Sequence, residues 1–171
     1  MNTAALIDRL ESFAEILPVL VRDVKEADAR WKPKDRQWSI LEIVNHLVDI
    51  EVEDMRLRLG LVLQDPGQDW PGINPQQWAI ERKYNERDLA ESVAAFVSER
   101  RISIDFLRSL SDPSWDNAYD HPVLGSMRTG DILSAWAAHD ILHTRQICKR
   151  LFQLVQRDAQ PYRTEYAGTW I

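Results

Sequence analysis

A single cysteine, Cys148, stands among the 171 residues, so no disulfide can form within the chain. That poverty of cysteine fits a reducing compartment. The six glycines form no phosphate-cradling loop or dinucleotide fingerprint, and no nucleophile elbow is present. The common nucleotide-dependent and serine-hydrolase classes are therefore left without a motif. Cationic excess is missing as well: 21 Lys and Arg face 27 Asp and Glu, for a net charge of -6. No basic tract exceeds the pair Arg100-Arg101, so affinity for a nucleic-acid backbone has no source. Long apolar runs are absent too. Asp8, Arg9, Glu11, Glu15 and Pro18 interrupt Met1 to Val24, which reads as an amphipathic helix and neither a signal peptide nor a membrane span. No membrane partner is expected, and the expected location is cytoplasmic.

What is present is helical periodicity almost throughout, without an alternating run that would announce a sheet. The length suits one domain over 1–171 with a substantial core. The first helix is predicted from about Thr3 to Ala29, bent or interrupted at Pro18, and Trp31 to Arg36 forms a connecting loop. Ser39-Ile40-Leu41-Glu42 is a capping box that opens the second helix, with Trp38 placed to staple Ile43. That helix runs to about Val62. Between Gln64 and Tyr84 the periodicity weakens, although Asn74-Pro75 marks a short helix carrying Trp78. Asp88 to Glu91 opens a third long helix ending near Leu110, and Ser111 to Arg128 reads as a long loop. Thr129 caps a fourth helix reaching about Val155. The tail, 156–171, carries Tyr162, Tyr166 and Trp170 and packs on the bundle or stays flexible. The expected architecture is all-α, a four-helix bundle with long loops after the second and third helices.

Only four histidines occur, and two of them, His139 and His143, are separated by one turn of the fourth helix. A third, His46, lies on the second helix. If those helices are neighbours, three neutral imidazoles could hold a divalent cation and leave positions open for water or substrate. Ile132, Trp136, His139, His143, Gln146 and Arg150 share one side of the fourth helix; Trp136 would wall the site and Gln146 could support a ligand. On the second helix Ile43, His46, Asp49, Ile50 and Glu53 share a face, so Asp49 and Glu53 are the carboxylates best placed to orient an imidazole, act as base or complete the coordination. A plainer interpretation stands beside this one. Histidines on apolar helix faces are more often hydrogen-bonded structural residues, and helix carboxylates are ordinarily solvated. Cys148 falls on the opposite side and His121 in a loop, so neither is an expected ligand.

Three segments, in order, resemble the DinB-like (DinB/YfiT-like) superfamily of small four-helix metalloproteins. Trp38 to Asp49 is similar to that family's tryptophan-led helix bearing the first histidine. Leu124 to Thr129 resembles the loop and cap before its last helix, and His139 to Ile147 the segment with the other two histidines and a glutamine. The resemblance implies a metal (nickel, zinc or iron) held by His46, His139 and His143. It also implies chemistry on a small-molecule substrate, either hydrolysis or S-transfer with a low-molecular-weight thiol. The alternative is a non-enzymatic stress-response or binding protein whose metal is structural, which a fourth side-chain ligand such as Glu53 or His121 would favour. Apolar residues on several faces of the fourth helix, with family precedent, point to a homodimer, although a central buried helix accounts for them too.

Overall fold

The computed structural model describes residues 1–34 and 37–170; Asp35 and Arg36 of the expected connecting loop, and Ile171 of the tail, lie outside the described residues. Four long helical segments form the bundle. The first, α1 (Thr3–Val21), is capped by Asn2, whose side chain accepts from the Ala5 N–H at 3.1 Å. It buries Ile7, Leu10, Phe13, Leu17 and Val21, a stripe at helical spacing. The helix passes through Pro18 and stops three residues later, and a separate short helix, α2 (Glu26–Arg30), follows. The break comes earlier than the periodicity implied because α2 has its own tertiary partners. Glu26 accepts from the Leu89 N–H at 3.0 Å, and Arg30 donates to the Arg87 carbonyl at 2.7 Å.

The capping box is formed as expected. Ser39 N–H donates to Glu42 at 2.9 Å and Glu42 N–H to the Ser39 hydroxyl at 3.1 Å, opening α3 (Ile40–Ile50). The second segment is not one uniform helix. A π-helical turn, Glu51–Met55, joins α3 to α4 (Arg56–Gln64), and the Arg56 N–H reaches back five residues to the Glu51 carbonyl. This turn shifts the phase of the side chains that follow and accompanies the burial of Glu51, which is 1% exposed. After a short helix α5 (Pro75–Glu81), the third long segment is α6 (Leu89–Ser109). The fourth is α7 (Thr129–Asp158), with Thr129 as its first residue and Arg128 as its cap.

The stretch 111–128 differs from the expected loop. Ala118–His121 (β1) and Gly125–Arg128 (β2) pair antiparallel, with His121 opposite Gly125. Gly125 takes φ +74, a left-handed conformation that costs glycine little, and His121 Nδ1 accepts from the Val123 and Leu124 N–H groups. Trp70 stacks on Tyr119 at 4.3 Å, a tertiary prop that no local pattern announces.

Around the bundle, α1 packs on α6 and α7, while α3 packs on both as well and α4 on α7. The core falls into two apolar clusters. One gathers Phe13, Leu17, Leu41, Val44, Phe96 and Ile147; the other gathers Leu10, Leu59, Ile104, Leu133 and Trp136. Burial of each such large side chain stabilises the fold by roughly 1.5–3 kcal/mol. Arg100 links all four long segments at the centre. From α6 it donates to the Leu10 carbonyl of α1, to Glu51 of the π turn and to both oxygens of Asp140 on α7. Glu51 also accepts from Trp136 Nε1 and the Ser103 hydroxyl, each at 2.7 Å. Among the described residues, no helix is long and apolar enough to cross a membrane.

Candidate metal centre

The capping box and the apolar residues of α3 fix its rotation, and they turn His46 inward, where it is 4% exposed. From α7, His139 and His143 project toward it. The ring centroids lie 5.3 Å (His46–His139), 4.8 Å (His46–His143) and 4.3 Å (His139–His143) apart. The ring nitrogens converge: His139 Nε2 is 3.4 Å from His46 Nε2 and 3.0 Å from His143 Nε2. All three ligand atoms lie within 4.8 Å of one another, and no carboxylate or thiol of the described residues joins them.

The two separations at His139 and the chemistry of the three imidazoles suit a cation. Nitrogens bound to a common ion at about 2.0–2.1 Å, with angles between square and tetrahedral, would be about 2.8–3.4 Å apart, a range that holds both separations at His139. Hydrogen bonding alone also serves the cluster poorly. His139 Nε2 carries either a proton or a lone pair, so it cannot donate to one neighbour and accept from the other at once. Protonation states agree with a cation site. Burial, with the two neighbouring imidazoles adding to it, lowers the pKa of His46 to about 2. His139 is lowered to about 3, by burial first and then by His143 and Arg100. Burial also lowers His143, against the pull of Gln146. All three are therefore neutral near pH 7, as ligands must be.

Gln146 Oε1 lies 2.8 Å from His143 Nδ1. An amide oxygen can only accept, so Nδ1 carries the proton and the Nε2 lone pair faces the other histidines. The Trp38 ring lies 4.8 Å from that of His46. His46 Nδ1 is buried and has no hydrogen-bond partner among the described residues. Trp136 is wholly buried and is bonded to Glu51, in the bundle centre.

Asp49 and Glu53 are engaged by other groups. Arg82, just beyond α5, donates to Asp49 at 2.6 Å and makes a two-pronged contact with Glu53, 3.0 Å at Nη2. Tyr84 also donates its hydroxyl to Asp49, and Arg82 lies 4.1 Å over the Trp78 ring. These contacts tie the α5 segment to α3 beside the histidines. His121 sits in the hairpin, and Cys148 is a half-buried free thiol outside the histidine cluster. Sequence reasoning missed Glu51, Arg100 and Asp140, which look like ordinary helix charges until the π turn and the packing of α6 bring them together. Asp140 directly follows His139. Its carboxyl is pushed up to about 6, burial being the main cause, against the pull of Arg100 and with Glu51 adding to the rise.

Next to the histidines opens a pocket of about 360 Å³, lined by Gln37, Trp38, Gln76, Gln146, Lys149 and Arg150. It borders the cluster through Trp38, which rests on His46, and through Gln146, which holds His143.

A four-helix bundle with three convergent histidines beside a polar pocket defines the class: small helical proteins with a candidate divalent-metal site. The particular family follows from comparison. The model of the DinB superfamily matches residues 9–147, and the chain belongs to that superfamily. It is 23% identical over 148 residues to a protein of Oceanobacillus iheyensis named "Putative metal-dependent hydrolase", with 84% of each chain covered. Its fold is similar to that of YfiT from Bacillus subtilis, described as "a probable metal-dependent hydrolase" with a four-helix bundle. That likeness has a TM-score of 0.79 at 18% identity and covers 89% of this chain and 87% of that one.

Proposed function

We propose that this protein is a divalent-metal-dependent enzyme acting on small molecules, with His46, His139 and His143 as the ligands and hydrolysis as the leading reaction. The observation that carries the reading is the approach of three neutral imidazole nitrogens, with no fourth side-chain ligand among the described residues. A structural metal would be closed by a fourth side chain; three ligands leave room for a reactant. The names given to the relatives support hydrolysis. A divalent ion on three uncharged ligands supplies Lewis acidity that lowers the pKa of a bound water, or equally of a thiol, so S-transfer to an electrophile is the second reaction in reach.

The chain's own residues have separable roles. Gln146 fixes the His143 tautomer, and Trp38 walls the His46 side. Asp49 and Glu53 hold Arg82 and so keep the α5 segment against the site; Glu53 becomes available for proton transfer when Arg82 releases it, and Asp49 only when the Tyr84 hydroxyl does so as well. The test is activity against panels of esters, amides and thiol–electrophile pairs, after chelation and after reloading with nickel, zinc or ferrous iron. Turnover should vanish on chelation, return with one of the metals, and be missing in His46→Ala. Turnover indifferent to both chelation and His46→Ala would overturn the reading.

A further inference from the structure

The pocket beside the histidines has an unusual charge balance. In a chain with net charge -6, the described residues that line it are two cations, three amides and a tryptophan, with no carboxylate among them. Arg150 is 5% exposed, yet among the described residues it has no carboxylate partner. Its Nε donates to the Trp38 carbonyl at 2.7 Å and its Nη1 to Gln153 Oε1 at 2.6 Å. Burial lowers its pKa, the direction expected of a desolvated cation without a counter-charge. Desolvating a guanidinium is costly unless an anion compensates it, so a buried arginine whose acceptors among the described residues are all neutral retains attraction for one. Lys149, exposed at the rim, has no ion-pair partner among the described residues either.

The amides refine the chemistry. Gln146 spends its oxygen on His143, which leaves its NH₂ to donate into the pocket. Gln37 Oε1 is buried without a partner among the described residues, an acceptor matched to an N–H or O–H of a ligand. Spacing sets the size. Gln146 and Arg150 follow His143 by about 4.5 Å and 10 Å along the helix axis, and helical side chains lean back toward the N-terminus.

We propose that this pocket binds the anionic end of the substrate: a small polar molecule with a carboxylate a few bonds from an N–H donor, as in an N-acyl amino acid. The carboxylate meets Lys149 and Arg150, the N–H meets Gln37, and the remainder extends past Gln146 toward the histidines. This assignment rests on the metal reading only for the reacting end; the anion site stands on its own lining residues.

The experiment titrates ¹⁵N-labelled protein, as purified, with N-acetylglycinate and with the isosteric neutral N-acetylglycinamide at low salt. The side-chain N–H signals of Trp38, Gln37 and Gln146 report occupancy. About tenfold tighter binding of the acid is expected in the unaltered chain. In Lys149→Glu, an exposed change outside the core, that preference should disappear. Binding without charge preference, no shifts at these three residues, or a preference that survives Lys149→Glu would overturn the proposal. In the last case the carboxylate sits elsewhere, for example on the metal. Metal content measured on the same samples fails or holds independently, so loss of the metal reading and loss of the anion site are told apart.

Discussion

Replacing Arg100 with methionine tests how the bundle centre holds together. The guanidinium makes five hydrogen bonds, to Leu10, Glu51 and Asp140, and the arginine and both carboxylates are each 2% exposed or less. Methionine fills much of the same volume but leaves two buried carboxylates without their cation and the Leu10 carbonyl without this donor. Removing one partner of a buried pair costs about 3–5 kcal/mol, because the remaining charge is uncompensated. In a chain of this size that lowers Tm on the order of 10 °C. Asp140→Asn should cost less, about 1–2 kcal/mol, since Arg100 keeps Glu51. The pH dependence has a definite sign. Asp140 already has a folded pKa of about 6, above its ordinary value, and losing the guanidinium raises it further. Such a group favours the fold when protonated and loses that contribution as pH rises through the folded pKa. The deficit of Arg100→Met relative to the unaltered chain should therefore be larger at pH 7 than at pH 5. Urea unfolding of the chains at both pH values gives these differences directly. A deficit below about 1 kcal/mol at pH 7, a larger deficit at pH 5, or Asp140→Asn costing more than Arg100→Met would refute the reasoning.

Further expectations concern the histidines. Gln146→Ala removes the acceptor that fixes the His143 tautomer, so metal affinity should fall about 10–100-fold while helix content stays the same; competition with a chromogenic chelator measures this. The folded pKa values of His46 and His139 lie well below the ordinary 6.5, so the neutral form favours the fold. The stability they confer is complete above pH 6.5 and is lost as pH falls toward the folded values, at about 1.4 kcal/mol per pH unit for each group. Protonation of Asp140 offsets one such share below pH 6. Metal-free protein should thus lose net stability between pH 6 and pH 5 in thermal melts; flat or rising stability there would contradict buried, neutral histidines.

Much of the fold was legible because its signals are local. The Ser39–Glu42 capping box, the Asn74-Pro75 helix start and the apolar spacing along α6 and α7 each depend on residues within a few positions of one another. The approach of His46 to His139 and His143 was legible only in outline. The i,i+4 pair follows from helical geometry, whereas bringing α3 beside α7 is a tertiary event. Three features left no local trace. The β1–β2 hairpin has only four residues per strand, without apolar alternation, and is propped by Trp70 from a distant loop. The π turn at Glu51–Met55 differs from an α-turn by one hydrogen-bond step, and it accompanies a carboxylate that becomes central. Asp49 and Glu53 both meet Arg82, and a helical wheel cannot show that a residue some thirty positions away in sequence engages them.

The most direct test of the central claim is the metal content of untagged protein by inductively coupled plasma mass spectrometry, beside His46→Ala and His143→Ala. Near one equivalent of a divalent metal in the unaltered chain, lost from both folded variants, is the expected result. No metal after reconstitution with nickel, zinc and ferrous iron, or metal retained in both variants, would contradict it.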